Sequence, residues 1–230
     1  MIAGNDPTAP DTGRSRRSGA SGYTLGEEIA ASVTHGVGVA AAITALVLLV
    51  AFAFARGTTT HVISVAVYGS TLVLLYTAST LYHSVTHERA KHVLKVIDHA
   101  SIYMLIAGTY TPFTLVTLRG VWGWSLFGTV WGLALVGVLL EGFWVWRPKW
   151  VSALVYLGMG WLVVVAIRPL VATLPRAGVA WLVAGGLAYT LGTVFYVMKR
   201  VPYMHAVWHL WVLAGSACHV VAVLFYVLPR

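Results

Sequence analysis

The sequence predicts an all-α polytopic membrane protein, a bundle of seven transmembrane helices with a cytoplasmic N-terminus. Three observations carry this. Of 230 residues 59% are hydrophobic and 10% charged, with a mean hydropathy of +0.81, whereas ordinary soluble domains carry roughly 25% charged residues. So few charges cannot cover the surface of a soluble chain of this length. The apolar residues also fall into runs of about 20, the length a helix needs to cross the hydrocarbon core. These runs are too long for the roughly 10-residue alternating strands of a membrane barrel.

Residues 1–24 are rich in Gly, Ser, Thr, Asp and Pro and contain no apolar stretch that could form a signal-peptide core. They are expected to form a disordered tail retained in the mature chain. Residues 25–230 form the membrane domain, with spans expected at 33–55, 61–83, 95–117, 121–144, 151–168, 177–197 and 205–228. The gaps carry turn and charge signals: Arg56-Gly57, His87 to Lys91, Arg119-Gly120, Arg147-Pro148-Lys149, Pro169 with Pro175-Arg176, and Lys199-Arg200 with Pro202. Gly128 and Gly132 predict a small-residue packing face, Gly158 and Gly160 further close approaches, and Pro112 a bend in the third span. Cys218, the single cysteine, excludes an internal disulfide and reads as a small packing residue.

The net charge of +8 is scattered between apolar runs rather than gathered in a stripe, which argues against a nucleic-acid partner. It reads instead as topology. With the N-terminus inside, the inner side holds Arg14, Arg16, Arg17, Arg89, Lys91, Lys95, Arg147, Lys149, Lys199 and Arg200, against Arg56, Arg119, Arg168, Arg176 and Arg230 outside. Lys and Arg concentrate on the cytoplasmic side of membrane proteins. This places the tail in the cytoplasm and, after seven spans, the C-terminus outside. Trp122, Trp124, Trp144, Trp146, Trp150 and Trp181 lie near span ends, as interfacial anchors do.

Ionisable residues inside spans are costly and commonly mark function. Ser79 and His83 share one helix face at the inner end of the second span, Asp98 and His99 begin the third, and His205 and His209 share a face at the start of the seventh. The topology brings all three clusters to the same inner depth. Two imidazoles at i and i+4 with a third from another helix suffice for a three-His metal site whose fourth position is left to water.

The other polar residues have plainer readings. His61, His87 and His92 fall at span ends or in loops and are expected to be solvated. His99 points about 100° away from Asp98 and reads as an interhelical hydrogen-bonder. His219, about 15 Å beyond His209 along the helix, reads first as a polar packing contact near the bilayer middle and second as part of a proton or ligand path. Glu27 and Glu28 complement a helix N-terminus, although Glu28, Ser32 and His35 share a stripe that could back the metal site. Glu141 is expected to reach water at the interface rather than line the inner cavity.

Glu27-Glu28 leading into Thr34-His35-Gly36, then Ser79-Thr80-Leu81-Tyr82-His83, Asp98-His99-Ala100-Ser101-Ile102-Tyr103 with Ala107-Gly108-Thr109-Tyr110-Thr111-Pro112, and His205-xxx-His209 resemble the hemolysin III family of the progestin and adipoQ receptor superfamily. In the adiponectin receptors of that superfamily the matching positions surround zinc near the cytoplasmic side. The resemblance therefore implies His83, His205 and His209 as zinc ligands, Asp98 as the holder of the water on the zinc, and Ser79 as a neighbouring polar group. Asp98 and Ser79 are the candidate catalytic residues. Where the family has Asn after Glu-Ile-Ala, this chain has Ala31.

The family name refers to cytolysis, while relatives act as receptors or hydrolyse ceramide-like amides. Three functions follow as expectations for a protein of the cell membrane whose partner is a membrane lipid or lipid-derived substrate. The first is a zinc-dependent hydrolase of a lipid amide or ester, in which zinc acidifies water and Asp98 takes the proton. Ala206-Val207-Trp208 stand between the two histidines of the seventh span, so no Glu on that helix can serve as base as in the His-Glu-x-x-His metalloproteases. The second is a receptor or membrane-state sensor with structural zinc, and the third a pore-forming cytolysin.

Overall fold

The structure, a computed structural model, describes residues 22–198 and 200–229. The expected tail falls almost wholly outside the described residues. Seven helices are long and apolar enough to cross a membrane: α1 Leu25–Arg56, α2 Thr59–Ser84, α3 Glu88–Leu118, α4 Gly120–Trp144, α5 Lys149–Thr173, α6 Arg176–Val197 and α7 Met204–Val227. No strand occurs among the described residues. The fold expected from composition is the fold observed.

Several helices begin earlier than their apolar cores, because caps extend them into polar sequence. Thr24 accepts from Glu27 N while the Glu27 carboxylate accepts from Thr24 N, a reciprocal capping box that starts α1 well before residue 33. His87 caps α3 by accepting from Ala90 N, so Lys91, His92 and Lys95 stand on the helix and not in a loop. His92 itself is exposed there, stacked on Trp146. His61 is a correction to the solvated reading: it is buried, and its Nδ1 accepts from Thr58 N at 3.1 Å to cap α2.

Proline positions are absorbed by changes of helix type. After Pro112, α3 continues as a π-helical stretch over Phe113–Leu118. In α5 a 3-10 stretch over Trp161–Ala166 precedes Pro169, which then lies in the first turn of a new α-helical segment, where its missing N–H is tolerated. This is why α5 runs past the predicted break. Gly128, Gly132, Gly158 and Gly160 do not form packing faces within the chain: all four are exposed and a Cβ there would meet nothing. The close approaches lie elsewhere, as at Gly69, where a Cβ would sit 3.0 Å from the Leu46 backbone.

Helices α1, α2, α3 and α7 share one core around Leu49, Tyr68, Leu72, Tyr76 and Val223. A second core around Tyr103, Val130 and Tyr156 joins α3 to α4 and α5. Consecutive helices pack α1 on α2, α2 on α3 and α6 on α7, and α1 against α7 closes the bundle. Exposed Val, Leu, Ile and Phe cover the outer faces of α1, α4, α5 and α6, as lipid contact requires. The closure of α1 onto α7 brings the N-terminal end of α1 beside the start of α7, next to the end of α2.

Candidate metal centre

His83, His205 and His209 offer one ring nitrogen each, all within 4.8 Å of one another. His83 and His209 are buried and His205 half-buried. The i, i+4 spacing places His205 and His209 on one face of α7, and the antiparallel run of α2 brings His83 against them. The Nε2 atoms of His83 and His205 are 3.2 Å apart, close to the ligand-to-ligand edge of about 3.3–3.4 Å that a tetrahedron with zinc–nitrogen bonds of about 2.0–2.1 Å demands.

The surrounding hydrogen bonds decide which nitrogens face inward. The Glu28 carboxylate accepts from His83 Nδ1 at 2.6 Å and takes Lys91 Nζ on its other oxygen at 2.8 Å. The Ala31 carbonyl lies 3.2 Å from His209 Nδ1, and a carbonyl can only accept, so Nδ1 carries the hydrogen. His209 Nε2 is then a lone pair, buried without a partner. Three imidazoles whose free nitrogens converge in a buried space repel one another unless a cation lies between them. A carboxylate behind His83 and a carbonyl behind His209 are usual supports of metal ligands, while His205 Nδ1 has no partner. The residues present therefore fit a metal ion.

Asp98 and Ser79 lie beside this cluster. Both are buried, and Ser79 and His83 lie within electrostatic reach of the Asp98 carboxylate. His35 stacks on His209 with ring centroids 3.5 Å apart, and neither of its nitrogens has a partner. Just before the start of α1, Tyr23 stacks on His205 at 5.0 Å and accepts from Lys149 Nζ at 2.7 Å. Burial pushes the Tyr23 phenol well above its usual range, so it keeps its proton at neutral pH. An apolar cavity of about 170 Å³ begins at Asp98, His35 and Trp208 and extends between α3, α5, α6 and α7 to His219.

The sequence-predicted residues thus come together on all counts but three. Ser32 leaves the expected stripe and pairs with Ser84 at 2.7 Å on the exposed side, while Glu28 and His35 turn inward. Glu141 does not reach water: it is fully buried, ion-paired with Arg147, and lies 3.3 Å from the Tyr156 hydroxyl. Its partner stands six residues later, past the end of α4, where no helical spacing would pair them. His99 faces this cluster 3.9 Å from Glu141, too far for a hydrogen bond. Lys91, Tyr23 and Lys149 are the neighbours of the site that spacing did not single out, whereas the stripe of Glu28 and His35 on α1 did point to it.

The family described as "Haemolysin-III related" matches residues 23–220. The chain belongs to the haemolysin-III family. It is 48% identical over 187 residues to "Hemolysin-3 homolog" of Bacillus subtilis (strain 168), covering 81% of this chain and 88% of that protein. It is 47% identical over 184 residues to "Hemolysin-3" of Bacillus cereus, covering 80% and 84%. A more distant relative is the human "Monocyte to macrophage differentiation factor", 29% identical over 150 residues, covering 63% and 62%. Family membership and the seven apolar helices together make the chain a multi-pass protein of the cell membrane. Ala31, the departure from the family pattern, contributes its backbone carbonyl to His209, a role that does not depend on the side chain.

Proposed function

We propose that this member of the haemolysin-III family is a zinc-dependent hydrolase of a lipid amide or ester, with His83, His205 and His209 as the ligands. The observation that carries the reading is the convergence of three imidazole nitrogens beside a buried carboxylate, Asp98, that lines one end of an apolar cavity. Imidazole ligands with an open position suit zinc and not hard cations such as magnesium. Zinc bound there supplies a Lewis acid that polarises a carbonyl and acidifies water. The chain's own residues do the rest. Asp98, oriented by Ser79, accepts the proton of the attacking water and returns it to the leaving group. Ile102, Leu105 and Leu170 line the cavity and hold an apolar chain away from water. Purified protein assayed for zinc and for turnover of ceramides, phospholipids and acyl esters tests this, and metal-independent turnover would overturn it.

A second reading, a sensor with structural zinc, is favoured by one observation, the Tyr23 ring lying over His205. A cover of this kind suits a site that ties helices together more than one that exchanges substrate. The Asp98 variant treated in the Discussion separates the two.

Glu28 provides a further test of the metal centre. Glu28→Gln keeps an acceptor for His83 Nδ1 but removes the negative charge, and zinc affinity is expected to fall about 10–100-fold, the usual effect of losing such a partner. Competition against a chelator measures it. Unchanged affinity would mean that Glu28 serves only Lys91 and the helix N-terminus.

Orientation follows from the ten-to-five asymmetry of Lys and Arg. A reporter fused after Arg230 is expected to report an external C-terminus, and one fused at Met1 a cytoplasmic N-terminus. A cytoplasmic C-terminal reporter would reverse the orientation and place the three histidines at the outer face.

A further inference from the structure

The far end of the cavity is polar, in contrast to its middle. His219 lines it, is buried, and has an Nδ1 without a hydrogen-bond partner. A buried ring nitrogen without a partner is costly in the middle of a membrane protein, and an occupant of the cavity that bonds it removes that cost. The ring is held by stacking on Tyr189 at 5.5 Å. On its other side stands Gly185, where a Cβ would come within 2.6 Å of the ring, so that only glycine leaves room for His219.

Tyr189 also lines the cavity. Its hydroxyl lies 2.9 Å from Ser216 Oγ, which accepts from Tyr76 at 2.7 Å. The Tyr76 hydroxyl also lies 3.4 Å from the Val212 carbonyl, so these hydroxyls fix one another and hold the Tyr189 ring against the cavity. A hydroxyl on a ligand would be met by the imidazole of His219, beside the Tyr189 ring.

We infer that His219 and Tyr189, the latter held by Ser216, form a second polar subsite that takes an oxygen-bearing group carried partway along the lipid chain. The inference rests on reading the cavity as a lipid-chain pocket. Ten residues of α7 separate His209 from His219, about 15 Å of helix. An extended tetrahedral chain advances about 1.25 Å per bond. The subsite therefore selects a chain oxygenated about twelve bonds from the reacting carbonyl, over the same chain without the oxygen.

Binding of three probes, none of them hydrolysable, to the full-length protein as purified in nanodiscs tests this without depending on hydrolysis: octadecanoic acid, the same acid with a hydroxyl at about its twelfth carbon, and the same acid with its hydroxyl next to the carboxyl. The mid-chain hydroxy acid is expected to bind about five- to tenfold more tightly than the other two, the net effect of one or two added hydrogen bonds. His219→Phe keeps the ring that packs on Gly185 and Tyr189, and should abolish the preference, so that the three acids bind this variant alike. Tyr189→Phe should reduce the preference. Equal binding of all three acids by wild type, or an undiminished preference in His219→Phe, would overturn the subsite and leave the chain pocket standing. Failure of all three acids to bind would overturn both.

Discussion

Alanine at His83, His205 or His209 is expected to strip the chain of its metal. Wild type purified without chelator should hold one zinc per chain, and each single variant should lose at least about 100-fold in affinity, more than the loss of a supporting partner costs. The reason is geometric. The three nitrogens come from two helices, α2 and α7, and no other His, Cys, Asp or Glu among the described residues joins the group. Zinc present at a thousand times its dissociation constant stabilises the fold by about 4 kcal/mol, so chelation should lower the melting temperature of wild type by about 10 °C and leave the variants unmoved. Stoichiometric zinc in both His205→Ala and His209→Ala would rule out the site.

Asp98→Asn carries the second large effect, on turnover and not on metal. The amide preserves the shape of the side chain and can still hydrogen-bond Ser79, but it cannot accept a proton. If Asp98 is the general base, the variant should keep its zinc and its fold yet lose about 100-fold or more in turnover of a lipid amide, the usual consequence of losing such a group. A purely structural zinc predicts the reverse pattern: lowered thermal stability or metal affinity in the variant, and no turnover in wild type. Equal hydrolysis by zinc-loaded wild type and zinc-loaded Asp98→Asn would exclude Asp98 as the base.

Much of the site was legible because it obeys local periodicity. Four-residue spacing puts Ser79 with His83 and His205 with His209 on single helix faces, and counting spans brings those faces to one membrane depth. The resemblance to the hemolysin III family added zinc as the expected ion. Spacing has no purchase on groups that meet across the bundle. Glu28 stands 55 residues from His83, and its plain reading as a complement to the α1 dipole is correct as far as one helix goes. Glu141 misled for the same reason, since its position near the end of α4 suggests water until Arg147 folds back over it. Gly128 and Gly132 carry the small-residue pattern of a packing face, yet the partners chosen by α4 lie on its other side.

Apolar run length, charge asymmetry and helical periodicity by themselves determined the class, the seven spans, the expected orientation and the three histidines, because hydrocarbon thickness and backbone hydrogen bonding leave a long apolar segment little choice but a spanning helix. Only the tertiary structure decided which ring nitrogens face the metal position, through Glu28 and the Ala31 carbonyl, and which polar residues line one continuous cavity from Asp98 to His219. Those contacts depend on the rotation and depth of one helix against another. Packing sets both, and in a bilayer, where every outward face is equally apolar, the hydrophobic pattern of a single span carries almost no record of them.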